Sequence, residues 1–197
     1  MKYSKNRISN AGKILLTSKS QDEINNAIAL INEWRASHMY PLNFMKSSLS
    51  KLLNQNNIVP VLISQRLKRL VSITYKLDLN PQMGLGGMQD IGGYRAVLKD
   101  TKDLMRLHAL LQSTKTHKLL KINDYVSDPK PSGYRSIHYI YEYSSTLEEF
   151  NGLRIELQIR TKLQHNWATA VETAGIITKT SLKSTSTFKC FIASTIG

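Results

Sequence analysis

The sequence predicts an α+β fold in which helices come first and a β-sheet flanked by helices follows. Before Asn80, apolar residues recur at the spacing of amphipathic helices. After a break at Asn80-Pro81 and the glycines Gly84, Gly86 and Gly87, strand-like runs are interspersed with helical ones. With 197 residues, of which 41% are apolar, the chain can bury one sizeable core. We therefore expect one main domain.

Three helices are predicted ahead of the break. The first covers residues 21–37, because Ser20 and Glu23 have the spacing of a capping box and apolar residues then recur at helical spacing. Residues 42–53 and 61–77 are also predicted to be helices.

Beyond the break, residues 91–98, 134–143 and 154–160 are predicted to be strands, and residues 101–112 and 162–174 to be helices. Helices would therefore alternate with strands in this part of the chain, as an α+β arrangement requires.

Two of these strands carry polar side chains on one face. In residues 154–160, strict alternation places Glu156 and Gln158 opposite an apolar face. In residues 134–143, Tyr134, Ser136 and His138 share one parity and would face either a cleft or solvent. Alternation alone does not decide between these two, and a core position for His138 is also open.

The charge balance indicates an anionic partner. The chain has 27 basic and 14 acidic residues, a net charge of +13, and residues 1–80 contribute 12 basic against 4 acidic side chains. Nucleic acid, nucleotide phosphates and an anionic membrane surface satisfy this signal equally well. The sequence has neither a run of about 18 apolar residues nor a signal-peptide pattern, so we expect a cytoplasmic protein without a membrane span.

Two segments carry residues suited to nucleotide binding. A Pro-Lys-Pro-Ser-Gly turn places Lys130 and Tyr134 at the start of a predicted strand. Lys130 could bind a phosphate, and the ring of Tyr134 could stack on a base. Upstream, Arg66, Arg69 and Lys76 would lie near one face of the predicted helix and could clamp a triphosphate. The alternative for this basic stripe is an ordinary solvated face.

Taken together, three motifs in this order resemble the synthetase region of the RelA/SpoT family. They are QDIGGYR at residues 89–95, DYVSDPKPSGYRSIH at residues 124–138 and ELQIRT at residues 156–161. The earlier RLKR at residues 66–69 is similar to the family's ATP-binding helix. The resemblance covers roughly residues 63–175.

The resemblance implies a nucleotidyltransferase-like fold, with a mixed sheet of about five strands, and a division of labour within the site. ATP would be held by four cations, Arg66, Lys68, Arg69 and Lys76. Catalysis would fall to three residues, Asp90, Glu156 and Gln158, of which Asp90 and Glu156 would also hold Mg²⁺. The acceptor nucleotide would be held by four residues, Lys130, Ser132, Tyr134 and His138, with Tyr134 stacked on guanine.

The resemblance also implies the reaction and the domain boundaries. Members of the family transfer the β,γ-pyrophosphate of ATP to the ribose 3′-hydroxyl of GDP or GTP, leaving AMP. An N-terminal helical region would occupy residues 1–60, the synthetase domain residues 61–178 and a truncated or poorly ordered Ser/Thr-rich tail residues 179–197. The sequence has no His-Asp dipeptide, on which the family's hydrolase domain depends, so synthesis alone is expected. It also has no P-loop.

Two alternatives stay open. Ser132 stands where many family members have Asn, and residues 164–173 resemble a stand-alone or toxin-like subgroup. A pyrophosphotransferase acting on the 3′ end of tRNA is therefore the second candidate, with an antitoxin or a second copy of the chain as possible partners. A non-catalytic nucleotide- or RNA-binding remnant is the third.

Overall fold

The computed structural model describes residues 3–114 and 117–178 and confirms an α+β arrangement. The predicted tail at residues 179–197 lies outside the described residues. The helices are α1 (Lys5–Thr17), α2 (Gln21–Ser37), α3 (Met39–Gln55), α4 (Leu70–Asp78), α5 (Thr101–Ser113) and α6 (Lys162–Thr178). The strands are β1 (Leu62–Leu67), β2 (Gly92–Leu98), β3 (Lys118–Asp124), β4 (Ile137–Glu142) and β5 (Arg154–Thr161).

The five strands form one mixed sheet in the order β1-β2-β5-β4-β3. The central pair, β2 and β5, is parallel, and the other three pairs are antiparallel. α5 follows β2 and packs near β2 and β5, which allows the chain to return for a parallel pairing. The predicted mixed sheet of about five strands flanked by helices is confirmed.

The apolar residues form two clusters, of which one covers a face of the sheet. One face packs on α3 and α5, and its core includes Leu49 from α3, Leu107 from α5 and Leu157 from β5. A second apolar cluster joins α1, α2 and α4, with Ile31 among its fully buried members. The remaining face of β2, β4 and β5 carries the polar residues. Among the described residues, no helix is both long and apolar enough to cross a membrane.

The helix predicted over residues 61–77 is wrong in its first part. Leu62–Leu67 is the edge strand β1, paired antiparallel with β2, and helix α4 begins only at Leu70. The spacing of apolar residues in a short run is compatible with either a strand or a helix. Here the pairing with β2 makes the run a strand. Arg66 therefore lies on a strand, while Lys68 and Arg69 lie in the connection, so these cations do not form a helical stripe with Lys76.

Two other elements were not predicted. Strand β3 is the opposite edge of the sheet and lacks a clean alternation, since only one of its neighbours is a strand. Helix α1 begins at a cap in which the Ser4 hydroxyl accepts from the Arg7 backbone N–H. Ile8 and Ala11 of this helix are buried. The predicted helices over α2, α3, α5 and α6 and the strands β2, β4 and β5 are confirmed with small shifts in their ends.

Gly86 fixes how closely α1 approaches the glycine-rich break. Its backbone N–H donates to the Ser9 hydroxyl at 3.1 Å. A Cβ at Gly86 would lie 2.2 Å from the Lys5 carbonyl oxygen, whereas a Cβ at Gly87 would meet nothing within 4 Å. Of Gly86 and Gly87, only Gly86 is therefore required by packing.

We expect Gly86→Ala to destabilise the chain, because the added methyl group must push α1 away from Leu85–Gly87. Overpacking of this kind typically costs about 1–3 kcal/mol. Urea denaturation followed by circular dichroism measures the loss. Gly87→Ala is the matched control, and equal midpoints for the two variants would contradict this close approach.

Candidate functional site

Two carboxylates lie together at the centre of the polar face. Asp90 precedes β2, and Glu156 is on β5 opposite Gly93 in the parallel register. Both line one small cavity. The other residues that line it are Ser64, Gln65, Arg66, Gly93, Tyr94, Arg95 and Gln158.

The sheet register arranges the side chains of this face in two rows, because residues paired across strands project to the same side. The first row runs Arg66, Gly93, Glu156 and Ile140 across β1, β2, β5 and β4. The second row runs Ser64, Arg95, Gln158 and His138 across the same strands. Arg66 of β1 and Arg95 of β2 thereby lie on the same face of the sheet as Glu156 of β5.

Asp90 is held by two lysines. Lys68 Nζ lies 2.9 Å from Oδ2, and Lys76 Nζ lies 3.0 Å from Oδ1. Burial raises the pKa of Asp90, but the charges and hydrogen bonds of the two lysines outweigh it and leave the pKa below its ordinary value of 3.8. Asp90 is therefore ionised at neutral pH.

Glu156 is held by a histidine and an amide. His138 Nδ1 lies 3.0 Å from Oε1, and Gln158 Nε2 donates to Oε2 at 2.7 Å. Burial raises the pKa of Glu156, but His138 and then Gln158 outweigh it and bring the pKa below 4.5. Gln158 in turn accepts from Arg95 Nη2 at 3.0 Å. Glu156 is thus a positioned carboxylate.

An aromatic group borders the acid. The Tyr134 hydroxyl lies 2.9 Å from His138 Nε2, so one chain of hydrogen bonds joins Tyr134, His138 and Glu156. Lys130 Nζ lies 4.5 Å from the centre of the Tyr125 ring and 5.6 Å from that of Tyr134. A cation over two rings at this distance is a favourable arrangement.

A larger cavity of about 340 Å³ continues from the carboxylates. Its walls carry four cations, namely Arg66, Arg95, Lys130 and Arg160, and one carboxylate, Glu172. Burial and then the neighbouring Arg95 lower the pKa of Arg160 to about 10, so it remains charged. The buried Nε of Arg160 has no hydrogen-bond partner within the described residues. The cavity is suited to an anion with hydrogen-bond acceptors.

Residues 65–183, more than half of the chain, match the family described as the region found in RelA/SpoT proteins. This chain belongs to the RelA/SpoT family. The curated GTP pyrophosphokinase YwaC of Bacillus subtilis is 32% identical over 109 residues, which cover 52% of this chain and 52% of YwaC. The match thus spans about half the length of such relatives and only 18% of the longer Mycoplasma pneumoniae relative.

Solved structures of the same family share the fold. Small alarmone synthetase 2 from Bacillus subtilis superposes with a TM-score of 0.65 at 26% identity, over 74% of this chain and 80% of that one. Small alarmone synthetase 1 from the same organism gives a TM-score of 0.68 at 22% identity, over 77% and 81% of the two chains. The mixed sheet with its N-terminal helices is therefore a family architecture.

Most of the site residues predicted from the RelA/SpoT resemblance converge. The structure groups Asp90, Glu156, Gln158, Arg66, Lys68, Lys76, Lys130, Tyr134 and His138 around the two cavities or in direct contact with the residues that line them. Arg69 is exposed and lines neither cavity. Ser132 is buried, and its Oγ has no partner within the described residues. The role of each residue stays a prediction.

Two predicted placements need correction or refinement. Ser136 does not face the cleft, because it is fully buried and donates to the Ile159 carbonyl oxygen. Tyr134 borders the larger cavity but is only 7% exposed, with its ring against Tyr125, His138 and Trp167. Its neighbours thus fix the ring before any ligand arrives.

Among the residues at the site that had no predicted role are Arg95, Arg160 and Tyr125, and each lies within a quoted motif. Arg95 and Arg160 share the parity of the polar residues on β2 and β5, so alternation was the available signal. Tyr125 lies outside any strand, in the turn that follows β3, and no periodicity marks it.

The oxygen ligands at the site are suited to Mg²⁺. Asp90 and Glu156 supply carboxylate oxygens, which hard cations prefer, and Mg²⁺ usually binds one or two carboxylates plus phosphate and water oxygens. Within the described residues, no group of three or more His, Cys, Asp or Glu side chains could hold a metal. The remaining ligands would have to come from the substrate and solvent. Gly93 adds no side chain beside Glu156, which leaves the space above it open.

We expect Asp90→Asn to lower stability near neutral pH and to have less effect in acid. A carboxylate whose folded pKa is lowered stabilises the chain above its ordinary value of 3.8, and this contribution is lost as pH falls through the folded pKa. Urea midpoints for parent and variant, measured from near neutral pH down to about pH 3, test this. Asp78→Asn, at an exposed position on α4, is the control. A difference between parent and Asp90→Asn that stays constant with pH would contradict the paired state of Asp90.

Proposed function

We propose that this chain is a (p)ppGpp synthetase, an ATP:GTP 3′-diphosphotransferase that moves pyrophosphate from ATP to the ribose 3′-hydroxyl of GDP or GTP. The supporting observation is the pair of ionised carboxylates that opens into a cavity with four cations. Pyrophosphate transfer needs charge neutralisation and alignment more than covalent help from the protein. The curated relatives YwaC and YjbM, at 32% and 31% identity, are named GTP pyrophosphokinases.

In this proposal, the residues around Asp90 hold the donor. Asp90 and Glu156 would hold Mg²⁺, which supplies neutralisation of the donor phosphates. Lys68 and Lys76 would turn from Asp90 to phosphate oxygens, and Arg66 would bind the phosphates from β1. Cations that already surround one anion need little reorganisation to accept another.

Glu156 would act on the acceptor. Its low pKa keeps it ionised, so it can take the proton of the attacking 3′-hydroxyl. The 3′-oxygen forms a bond to the β-phosphorus, the bond from that phosphorus to the oxygen bridging the α-phosphate breaks, and AMP leaves. His138 would position Glu156, while Tyr134 and Lys130 would border the guanine nucleotide.

Two observations distinguish synthesis from the alternatives. The 197 residues contain no His-Asp dipeptide, the motif on which the hydrolase domain of the family depends. A non-catalytic remnant is disfavoured, because both carboxylates and the cations that hold them are in place. Synthesis of the alarmone thus remains the proposed activity.

One observation favours transfer to tRNA as a second candidate. Helix α1 carries Lys5, Arg7 and Lys13 at exposed positions and has no acidic residue. Such a surface suits a phosphate backbone. In that case, the acceptor would be the 3′ end of tRNA rather than a free nucleotide.

We expect Glu156→Gln to abolish most transfer without unfolding the chain, because the amide can neither accept the proton nor carry charge. Loss of a general base typically lowers kcat by about 100-fold to 10,000-fold. The assay incubates the protein with Mg²⁺, GDP and ATP labelled on its γ-phosphate, and separates the labelled products. Glu142→Gln, on β4 beside the exposed Lys118, is the control and should keep parent activity. Near-parent turnover by a folded Glu156→Gln protein would overturn the assignment.

The acceptor is tested by neutralising Lys5, Arg7, Lys13 and Lys19 together to Gln. With a free guanine nucleotide as acceptor, turnover should be nearly unchanged, because these exposed side chains line neither cavity. With tRNA as acceptor, activity should fall steeply with salt and with the neutralised charges. Product formation with GDP, GTP and tRNA across a salt series separates the two. Labelled tRNA without labelled guanosine product would favour the second candidate.

A further inference from the structure

A second cavity lies on the face of the sheet opposite the carboxylates. It has a volume of about 280 Å³ and is bordered by α3, the end of α5 and the sheet. Tyr94 of β2 and Tyr141 of β4 line it on the sheet side, and the rest of its lining is partly aliphatic and partly polar. The aliphatic residues are Met45, Leu49, Leu52 and Leu111. Since Tyr94 lies between Gly93 and Arg95, one strand separates this cavity from the catalytic cleft.

The cavity contains polar groups that the protein does not use. Both ring nitrogens of His117 are buried without a hydrogen-bond partner within the described residues. Tyr94 and Tyr141, which are 5% and 7% exposed, line the same cavity. Buried polar groups nearly always find a partner, so the two unpartnered nitrogens of His117 at this cavity point to a ligand.

These polar groups are uncharged at neutral pH. Burial lowers the pKa of His117, so the ring is neutral and offers one donor and one acceptor. Burial raises the pKa of Tyr141 to about 12 and, with the neighbouring Tyr141, raises that of Tyr94, so both phenols keep their protons. Lys51, which also lines the cavity, is an exposed residue of α3. A charged ligand would lose its hydration here without gaining a counter-charge on the sheet side.

The size and shape of the cavity limit which neutral molecules can bind. The volume is nearly twice the roughly 150 Å³ of a cavity that holds benzene. Aromatic rings on the sheet side and aliphatic side chains elsewhere in the lining suit a flat molecule of two fused rings. The hydrogen-bonding groups require both a donor and an acceptor on that molecule.

We propose that this cavity is a binding site for a neutral bicyclic heteroaromatic molecule that carries a ring N–H donor and a ring nitrogen acceptor. Purine bases and benzimidazole-type molecules share this chemistry. The proposal does not depend on the pyrophosphate transfer, because none of the catalytic or cationic residues of the cleft lines this cavity.

The test uses benzimidazole as the probe and 1-methylindole as the matched molecule without the donor and acceptor. Binding to the full chain is followed by the amide shifts of isotopically labelled protein. We expect benzimidazole to bind at least tenfold more tightly, with shifts at Leu49, Leu52 and Tyr141, since each hydrogen bond contributes up to about tenfold in affinity. No binding at millimolar probe, equal binding of both molecules, or shifts confined to Arg95 and Glu156 would each overturn the site.

Variants on α3 provide the structural control. Ser48 lines the cavity and Ser47, its exposed neighbour, does not, so Ser48→Phe should abolish benzimidazole binding and Ser47→Phe should not. If Ser48→Phe lowers the urea midpoint, Gln55→Trp and its control Asn54→Trp repeat the comparison at the next lining position. Tyr94→Phe should weaken benzimidazole about threefold to tenfold and leave 1-methylindole unchanged. Binding that survives both filling variants would contradict the proposal.

Discussion

The parallel pairing of β2 with β5 is the constraint on which the rest of the structure depends. It sets Gly93 opposite Glu156 and Arg95 opposite Gln158, and it brings Asp90, two residues before β2, to the same end of the sheet. A shift of one residue in this register would turn Glu156 into the core that Leu157 now occupies. Because burying an unpaired carboxylate is costly, packing of the apolar face and placement of the acids enforce the same register.

The acids themselves are stable only because each is fully partnered. Asp90 uses both carboxylate oxygens for lysines, and Glu156 uses both for His138 and Gln158. Removing one partner of such a group costs more than the pair contributes, so these contacts fix the positions of both carboxylates. In the proposed reaction, phosphate oxygens would replace Asp90 as the partner of the lysines. In that proposal, the ion pairs of Lys68 and Lys76 with Asp90 keep both lysines where they would bind phosphate.

The sequence was sufficient for much of this arrangement and insufficient at its edges. Alternation in β5 correctly separated Glu156 and Gln158 from the core, because a strand with one buried face has an unambiguous pattern. The edge strands β1 and β3 have no such pattern, so β1 was merged into a helix and Arg66 was given the wrong local structure. The cleft also depends on Arg95 and Arg160, which alternation places on the right face but cannot connect to a cavity. Alternation along a strand predicts which face of the sheet a side chain occupies. Which side chains meet in one site depends on how the strands pair, and the spacing does not contain that information.

The side chains of β2 line a cavity on each face of the sheet. Gly93 and Arg95 face the acids, while Tyr94 between them lines the opposite cavity. Successive side chains of a β-strand project to opposite faces from one backbone of planar peptide units, so a shift of that backbone moves both sets of side chains together. Arg95 Nη2 donates to Gln158 Oε1 at 3.0 Å, and Gln158 Nε2 donates to Glu156 Oε2 at 2.7 Å, so two consecutive hydrogen bonds join β2 to Glu156. The same strand therefore contributes Tyr94 to the opposite cavity and, through Arg95 and Gln158, supports one of the contacts that orient Glu156.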